Sequence, residues 1–252
     1  MKQIPPVIGV LLAINGIIFL PSLIAPELYR TILSTLALYF PKAESFKIYQ
    51  LVSYMFLHGS VAHIFFNMFA LASFGIPLTM VWGWKRFILF YFATGIGAAF
   101  IYTGVNYVQF SNAYQAFIEA GFTPESMSTL LTTSMADPAL IAKLPQETID
   151  TLLGHFTSRA VGASGAIYGV LVAFGVLFPN AKLSLMFLPV PIPAKYFIPV
   201  IVLLDLFSGI TGFSLFGGGI AHFAHVGGAV IGFLIMMYWK IKYPVNIQFH
   251  NN

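Results

Sequence analysis

Six long apolar stretches limit the fold of this 252-residue chain more than any other feature of its sequence. A helix that crosses the hydrocarbon core of a membrane needs about 20 predominantly apolar residues. Stretches that approach this length cover residues 6–25, 57–81, 87–108, 161–178, 196–211 and 220–239. Only 8% of all residues are charged, whereas a soluble domain has about 25%. The sequence therefore predicts an all-α, multi-pass membrane protein with six transmembrane helices, in which residues 1–252 form one domain.

The distribution of charge predicts how these helices are oriented, because cytoplasmic segments of membrane proteins carry an excess of Lys and Arg. If the N-terminus lies inside, the inner segments contain no acidic residue and seven basic ones: Lys2, Lys85, Arg86, Lys182, Lys195, Lys240 and Lys242. The other five of the 12 basic residues and seven of the eight acidic residues then fall outside, and Asp205 lies within the fifth span. Only an even number of spans gives this separation, so both termini are predicted on the inner side.

Two outer segments are too long to be simple connections. Residues 26–56 are too polar to cross a membrane and too apolar for a free loop, which predicts a helix lying in the outer interface. Residues 109–158 contain two sequences typical of helix starts. Thr123 precedes Pro124 as an N-cap precedes a first-turn proline, and Pro145 precedes a similar acidic turn. We expect a helical insertion between the third and fourth spans.

The composition also narrows the functional classes. The chain has no cysteine, which excludes disulfide bonds, thiolate metal sites and a cysteine nucleophile. Its net charge of +4 comes from basic residues that are spread singly, so a nucleic-acid partner is not expected. No cofactor or metal is expected either. Residues 7–25 are long enough to span a membrane, and we expect a first transmembrane helix there and not a cleaved signal peptide.

Polar side chains interrupt the second, fourth and sixth apolar stretches near their outer ends. These side chains are His63, Asn67, Ser164 and His225. Asn67 follows His63 by four residues, so both lie on one helix face, one turn apart. Ser164 follows Arg159 by five residues, which places it about 7.5 Å into its helix. Polar groups at such depth are costly and are functional candidates by default.

Small residues predict close contact between the fourth and sixth stretches, because pairs of glycines four residues apart let helix backbones approach closely in lipid. The two pairs are Gly165 with Gly169 and Gly228 with Gly232. Close approach would bring the Ser164 hydroxyl to the His225 ring, and a serine nucleophile requires such a base.

The N-terminus of the fourth helix adds a second element to this hypothesis. The Ser164 amide and the positive end of the helix dipole can stabilise an oxyanion there. The side chains of His63 and Asn67 could contribute further donors to the same site.

Each of these residues also has a structural interpretation. A single membrane serine usually bonds a backbone carbonyl, glycine pairs usually serve packing alone, and an intramembrane histidine is often structural. The coincidence of depth across three helices favours the functional interpretation. His222 competes with His225 as base, but only His225 is followed by glycine at the third and seventh positions.

Two other functional classes fit the sequence less well. The four histidines near one membrane face could bind zinc, since imidazole suits this metal, but no His-Glu-x-x-His motif is present. These histidines are His58, His63, His222 and His225. A transporter would be expected to show paired inverted halves, which the chain lacks.

Three motifs together resemble the rhomboid family of intramembrane serine proteases. The family's His-x-x-x-Asn, Gly-x-Ser-Gly and Ala-His-x-x-Gly-x-x-x-Gly motifs are matched in order by His63 and Asn67, by Gly162, Ser164 and Gly165, and by Ala224, His225, Gly228 and Gly232. The resemblance covers nearly the whole chain outside residues 109–158. It implies a six-helix rhomboid bundle with both termini inside.

The resemblance also implies roles for individual residues. Ser164 would be the nucleophile and His225 the general base and acid, while His63, Asn67 and the Ser164 amide would hold the oxyanion. Gly162 would permit the turn into the helix, and Tyr168 would pack on the catalytic histidine. These roles define a peptidase that cuts membrane proteins in or near their transmembrane helices; the alternative is a pseudoprotease that binds such helices without cleavage.

Three further expectations come from the resemblance. Asp205 matches a similar stretch of the family but receives no catalytic role, because the family uses a dyad. His58 is expected to support the outer loop by hydrogen bonding. The family often has Trp-Arg in that loop where this chain has Tyr49-Gln50, which puts the loop's stabilising contacts in doubt.

The resemblance also suggests a location for the protein. The absence of cysteine and the compact six-span form suggest an integral protein of a bacterial cytoplasmic membrane, with the site opening to the outer side.

Overall fold

A computed structural model describes residues 4–185, 188–213 and 221–242, and most of them are helical. The helices of the first half are α1 (Pro6–Phe19), α2 (Pro21–Ile24), α3 (Pro26–Leu36), α4 (Gln50–Ser53), α5 (Val61–Trp82) and α6 (Trp84–Glu119). Those of the second half are α7 (Pro124–Thr133), α8 (Pro138–Ile141), α9 (Gln146–Thr157), α10 (Ser164–Leu177), α11 (Ala194–Thr211) and α12 (His222–Lys242). Two antiparallel strand pairs complete the fold: β1 (Leu38–Tyr39) with β2 (Arg159–Ala160), and β3 (Lys182–Leu185) with β4 (Leu188–Pro193). The predicted all-α fold class is confirmed.

Five helical segments of the described chain are long and apolar enough to cross a membrane. They are Pro6–Ile24, α5, α6, α11 and the part of α12 up to Trp239. The fourth predicted span, residues 161–178, is shorter than expected because α10 has only 14 residues, about 21 Å of helix. Its first predicted residues, 161–163, instead form the turn at Gly162 that connects β2 to α10. The predicted start of the sixth span, Ile220, lies outside the described residues, and α12 begins at His222.

Helix α6 extends far beyond the predicted third span, which ended at residue 108. Its 36 residues correspond to about 54 Å, whereas the hydrocarbon core of a membrane is about 30 Å thick. The extension continues because Phe110 and Phe117 turn towards a second hydrophobic core formed with residues of the insertion. Thr123 caps α7 by accepting a hydrogen bond from the Ser126 amide, and α9 begins directly after Pro145. The predicted helical insertion is therefore present.

Gln50 holds the outer loop together. Its side chain is fully buried, and its amide nitrogen donates to the carbonyls of Thr35 (3.0 Å) and Ser45 (2.9 Å). Its amide oxygen accepts from the backbone amides of Tyr39 (3.4 Å) and Lys47 (3.1 Å). The glutamine thus supplies stabilising contacts at the position where the resemblance had put them in doubt.

The hairpin of β3 and β4 was not predicted from the sequence. It lies between α10 and α11, and its strands pair Lys182 with Pro193 and Leu183 with Ile192. Three prolines in residues 189–193 interrupt the alternation of apolar and polar residues that indicates a strand. Prolines are tolerated on an edge strand of this kind.

Candidate active site

Ser164 lies at the first position of α10, where the chain turns sharply out of β2. Gly162 makes this turn with a φ of +128°, which side chains other than that of glycine rarely adopt. Its amide donates to the carbonyl of Tyr54 at 2.9 Å. A Cβ atom at Gly162 would lie 2.8 Å from His63 Nε2. Glycine is therefore required both by the backbone conformation and by the nearness of the His63 ring.

The His225 ring joins Ser164 from the neighbouring helix α12. Its Nε2 atom lies 2.8 Å from Ser164 Oγ, which is a hydrogen-bond distance. The ring stacks on Tyr168, with centroids 4.4 Å apart and planes inclined by 11°. Tyr168 lies one turn after Ser164 on α10, so a single helix supplies both the hydroxyl and the surface that fixes the imidazole plane.

Glycines allow α10 and α12 to bring these side chains together. A Cβ atom at Gly228 would lie 1.8 Å from the carbonyl oxygen of Gly165, and one at Gly232 would lie 2.6 Å from the Cα atom of Gly169. The two backbones therefore touch directly at two successive turns. This contact begins one turn from His225 and thus sets its distance from Ser164.

His63 offers a hydrogen-bond donor beside the serine. Its Nδ1 atom accepts a hydrogen bond from the Gly59 amide at 3.3 Å, so in the neutral ring the proton is on Nε2. His63 Nε2 is also the atom nearest to the position that a Cβ atom would take at Gly162. Ser60 caps α5 by accepting from the His63 amide at 3.1 Å, which fixes the start of the helix that carries the ring.

Asn67 is buried one turn deeper on α5. Among the described residues, no hydrogen-bond partner is found for its Nδ2 atom. A buried amide that lacks a partner costs free energy, so this donor is available to a ligand that enters the site. In the part of the chain that the structure describes, no hydrogen bond from Asn67 Nδ2 reaches Ser164, whereas Ser164 Oγ and His225 Nε2 are 2.8 Å apart.

Asp205 is the residue that the sequence left without a function. Its Oδ1 atom lies 3.1 Å from His225 Nδ1 and 2.6 Å from His222 Nδ1. The Tyr168 hydroxyl donates to its Oδ2 atom. The available signal was the carboxylate itself, since an acidic residue within a membrane span is costly and seldom lacks a partner.

Asp205, His222 and His225 are also the metal-ligand candidates of the described chain. Ligand atoms of Asp205, His222 and His225 lie within 4.8 Å of one another. Two ligands of a tetrahedral zinc ion lie about 3.3 Å apart, given bonds of about 2.0–2.1 Å. The observed oxygen–nitrogen distances of 2.6 and 3.1 Å fit direct hydrogen bonds better. His58 and His63, which the zinc hypothesis also included, pack on each other with centroids 5.0 Å apart.

His58 is buried in the loop that precedes α5. Its backbone amide donates to the Tyr29 hydroxyl at 3.1 Å, and that hydroxyl donates in turn to the His58 carbonyl. Neither ring nitrogen has a hydrogen-bond partner within the described segments. Burial, with a smaller contribution from His63, lowers the pKa of His58 to about 3. The expected support of the outer loop therefore comes from the backbone of His58 and not from its ring.

Comparison with known proteins identifies a family and several relatives. The family model of the rhomboid domain matches residues 45–241. The mitochondrial presenilin-associated rhomboid-like protein of Rattus norvegicus is 26% identical over 243 residues, 93% of this chain and 50% of that protein. The human protein of the same name is 25% identical over 197 residues, 75% of this chain and 39% of that protein. The mitochondrial Rhomboid protein 1 of Saccharomyces cerevisiae is 37% identical over 89 residues, 35% of this chain and 24% of that protein. The chain thus spans half or less of the length of these relatives.

The relatives correct one expectation. A bacterial cytoplasmic membrane was predicted, but these curated relatives are mitochondrial proteins of rat, human and yeast, so that prediction is wrong. The reason is physical: the distribution of Lys and Arg orients helices in a membrane without specifying which membrane it is. The multi-pass membrane protein itself is supported by the apolar helices.

Proposed function

This chain belongs to the rhomboid family, and we propose that it is an intramembrane serine endopeptidase. The proposed reaction is hydrolysis of peptide bonds in or near the transmembrane helices of other membrane proteins. One observation carries the proposal above all others. Ser164 Oγ and His225 Nε2 lie 2.8 Å apart, on two apolar helices whose backbones are in contact.

Ser164 is the proposed nucleophile and His225 the proposed base. The Ser164 hydroxyl transfers its proton to His225 Nε2 while Oγ forms a bond to the carbonyl carbon of the substrate. The tetrahedral intermediate collapses when the bond between carbon and nitrogen breaks, and His225 Nε2 gives the proton to the leaving nitrogen. Water then attacks the acyl ester while His225 Nε2 takes a proton from it, and this proton passes to Ser164 Oγ when the bond between the acyl carbon and Oγ breaks.

Three donors are proposed to stabilise the negative oxygen of this intermediate. They are the Nε2–H of His63, the Nδ2–H of Asn67 and the backbone amide of Ser164. The Gly59 amide supports the required His63 tautomer by occupying Nδ1. The position of Ser164 at the start of α10 adds the positive end of the helix dipole. Fixed donors of this kind provide much of the rate enhancement in acyl transfer.

The position of the site in the molecule suggests the class of substrate. Ser164 and His63 lie within the first turn of α10 and α5, respectively, and His225 lies in the first turn of α12. These three helix ends lie on the side opposite Lys85 and Arg86 at the start of α6. Water can reach the site at this depth. A peptide bond that reaches Ser164 belongs to a chain that enters the bilayer or lies on its surface.

The test is cleavage of a model single-span substrate in liposomes by the intact protein and its variants. We expect Ser164→Ala and His225→Ala each to lower the rate by at least about 10³-fold, as for other nucleophile–base pairs. Ser128→Ala, in an exposed part of α7, is the matched control and should cleave as the unaltered protein does.

Three results separate the alternatives. Loss of cleavage in both variants with folding retained supports the proposal. Equal cleavage by the intact protein and by both variants contradicts it. Absence of cleavage by any protein, together with no reaction of Ser164 with a fluorophosphonate probe, supports the pseudoprotease that binds membrane helices.

A further inference from the structure

The His225 ring has a defined hydrogen-bond partner at each of its two nitrogens. Nε2 faces Ser164 Oγ at 2.8 Å, and Nδ1 faces Asp205 Oδ1 at 3.1 Å. A neutral imidazole carries one proton, and a base that accepts from serine through Nε2 must carry it on Nδ1. An ionised carboxylate only accepts hydrogen bonds. Asp205 therefore favours the tautomer in which Nε2 is free to receive the serine proton.

Asp205 is itself held by two other side chains. The Tyr168 hydroxyl donates to Oδ2, and His222 Nδ1 lies 2.6 Å from Oδ1. A carboxylate offers about four lone-pair sites, so it accommodates all three donors at once. The Asp205 side chain is only 11% exposed, which means that these donors replace water as its main stabilisation.

The arrangement differs from a buried ion pair that only supports the fold. If Asp205 only supported the fold, its carboxylate would need hydrogen-bond donors but not His225 in particular. Tyr168 and His222 already supply such donors. Asp205 nevertheless also reaches the nitrogen of His225 that lies opposite Ser164. Three helices then contribute one continuous chain of contacts: Ser164 on α10, His225 on α12 and Asp205 on α11.

We infer that Asp205 is a positioning residue that orients His225 and fixes its tautomer for the proton transfer from Ser164. This inference rests on the proposed endopeptidase function. The serine proton goes to His225 Nε2, the Nδ1 proton stays on His225, and Asp205 remains ionised throughout. The carboxylate stabilises the imidazolium that forms, as the acid does in serine-protease triads.

The first test separates catalysis from substrate binding. In Asp205→Asn we expect kcat to fall at least about tenfold with KM changed less than about twofold, since general-base catalysis contributes about 10²- to 10⁴-fold in total. Ser208→Ala is the matched control, because Ser208 is another buried polar residue on α11, one turn beyond Asp205. It should leave both constants unchanged. An unchanged kcat in folded Asp205→Asn overturns the inference.

The second test does not depend on cleavage. Side-chain ¹⁵N spectra of the full chain in bilayers, with histidine labelled, distinguish a proton on Nδ1 from one on Nε2. The His225 signal is identified by its loss in His225→Gln. We expect the Nδ1–H tautomer in the intact protein and a shift towards Nε2–H in Asp205→Asn. A wild-type ring protonated on Nε2 overturns the inference, even if the protein cleaves no substrate.

A third variant covers the case in which Asp205→Asn does not fold. His222→Gln leaves Asp205 with Tyr168 and His225, so we expect His225 to keep its Nδ1 proton and kcat to stay within about threefold. Loss of the Nδ1–H signal of His225 in this variant would assign the positioning role to His222 and contradict the role of Asp205. If the intact protein shows the Nδ1–H tautomer but no cleavage, the proposed function fails while the hydrogen-bond assignment stands.

Discussion

The membrane core and the helical insertion hold their helices together in opposite ways. Between α10 and α12, the closest contacts join backbone to backbone at Gly165 with Gly228 and at Gly169 with Gly232. Between the extension of α6 and the insertion, large side chains fill the space, as Phe117 and Phe122 do with ring centroids 5.0 Å apart.

The difference reflects the surroundings of the two regions. Lipid tails are as apolar as a leucine side chain, so apolar burial does not drive helices together in a bilayer, and small residues promote close packing instead. The insertion carries Glu125, Glu147 and Asp150 on its helices, as expected of a segment in water, where burial of aromatic area is the main driving force. The candidate site lies on the glycine-packed side, which fixes the distance between two side chains more tightly than flexible large side chains would.

The largest effect on the site is expected from Gly228→Val. Its Cβ atom would lie 1.8 Å from the Gly165 carbonyl oxygen, so α10 and α12 must separate. We expect complete loss of substrate cleavage and of fluorophosphonate labelling at Ser164, with a loss of stability at or above the usual overpacking cost of about 1–3 kcal/mol. Labelling rate and thermal unfolding in the same detergent measure both effects.

Gly104→Ala is the matched control for this substitution. Gly104 is an exposed residue within α6, and no described atom lies within 4 Å of the Cβ that alanine would add. Alanine favours a helix over glycine by about 1 kcal/mol, so stability should be equal or higher and cleavage unchanged. Intact labelling of Ser164 in Gly228→Val would show that the glycine contact does not set the site geometry.

The next effect is expected in the insertion, from Phe117→Ala. Phe117 is fully buried in the second core, and removal of a buried phenylalanine side chain costs about 3–5 kcal/mol. Because this core is separate from the glycine contact, we expect faster amide hydrogen exchange in α7 and α9. The labelling rate of Ser164 should change less than about twofold.

An exposed residue of the same insertion controls for this result. Met135→Ala, at a side chain that is 65% exposed, should leave exchange in α7 and α9 unchanged. If Phe117→Ala abolishes labelling of Ser164 as Gly228→Val does, the two regions are coupled and their contrast is lost.

The smallest effect concerns acid stability and compares a histidine of the loop before α5 with a histidine of the insertion. The pKa of buried His58 is lowered to about 3, whereas an unfolded chain protonates histidine near pH 6.5. Between these values the unfolded state binds a proton that the folded state does not, so the free energy of unfolding falls as the pH falls. The slope is at most about 1.4 kcal/mol per pH unit for one such group.

The measurement is chemical unfolding between pH 7 and pH 4. We expect His58→Gln to flatten the pH dependence. Burial also lowers the pKa of His155 in the insertion, but that side chain is only partly buried. His155→Gln should therefore change the slope less. An equal or larger flattening in His155→Gln would mean that the insertion, and not the loop before α5, governs acid stability.

Local physical rules predicted much of the fold. Apolar length located the spanning segments, and the caps at Thr123 and Pro145 located two helices of the insertion. These features depend on residues close together in the chain and on the surrounding solvent. The early start of the fourth span was wrong for a related reason. Residues 161–163 are apolar enough to begin a helix, but the preceding β2 pairs with β1 about 120 residues earlier in the chain, and residues 161–163 therefore form the turn between β2 and α10.

The candidate site was likewise predicted only in part from the sequence. The sequence indicated His63, Asn67, Ser164 and His225 through their type, their depth and their motifs. It did not indicate that Asp205 contacts His225, because that contact depends on how α11 packs against α12. Nor did it indicate that Gln50 would hold the outer loop, since its four hydrogen-bond partners lie in α3, in β1 and in the segment between β1 and α4.

The sequence by itself determined that this chain enters a membrane as helices, which side chains can do chemistry there, and which family it belongs to. Only the tertiary structure decided which nitrogen of His225 faces Ser164, which faces Asp205, and how closely α10 and α12 approach. The reason is that composition and periodicity act over one or two turns of a helix. A hydrogen bond between residues 61 positions apart requires the packing of whole helices to be fixed within a fraction of an ångström.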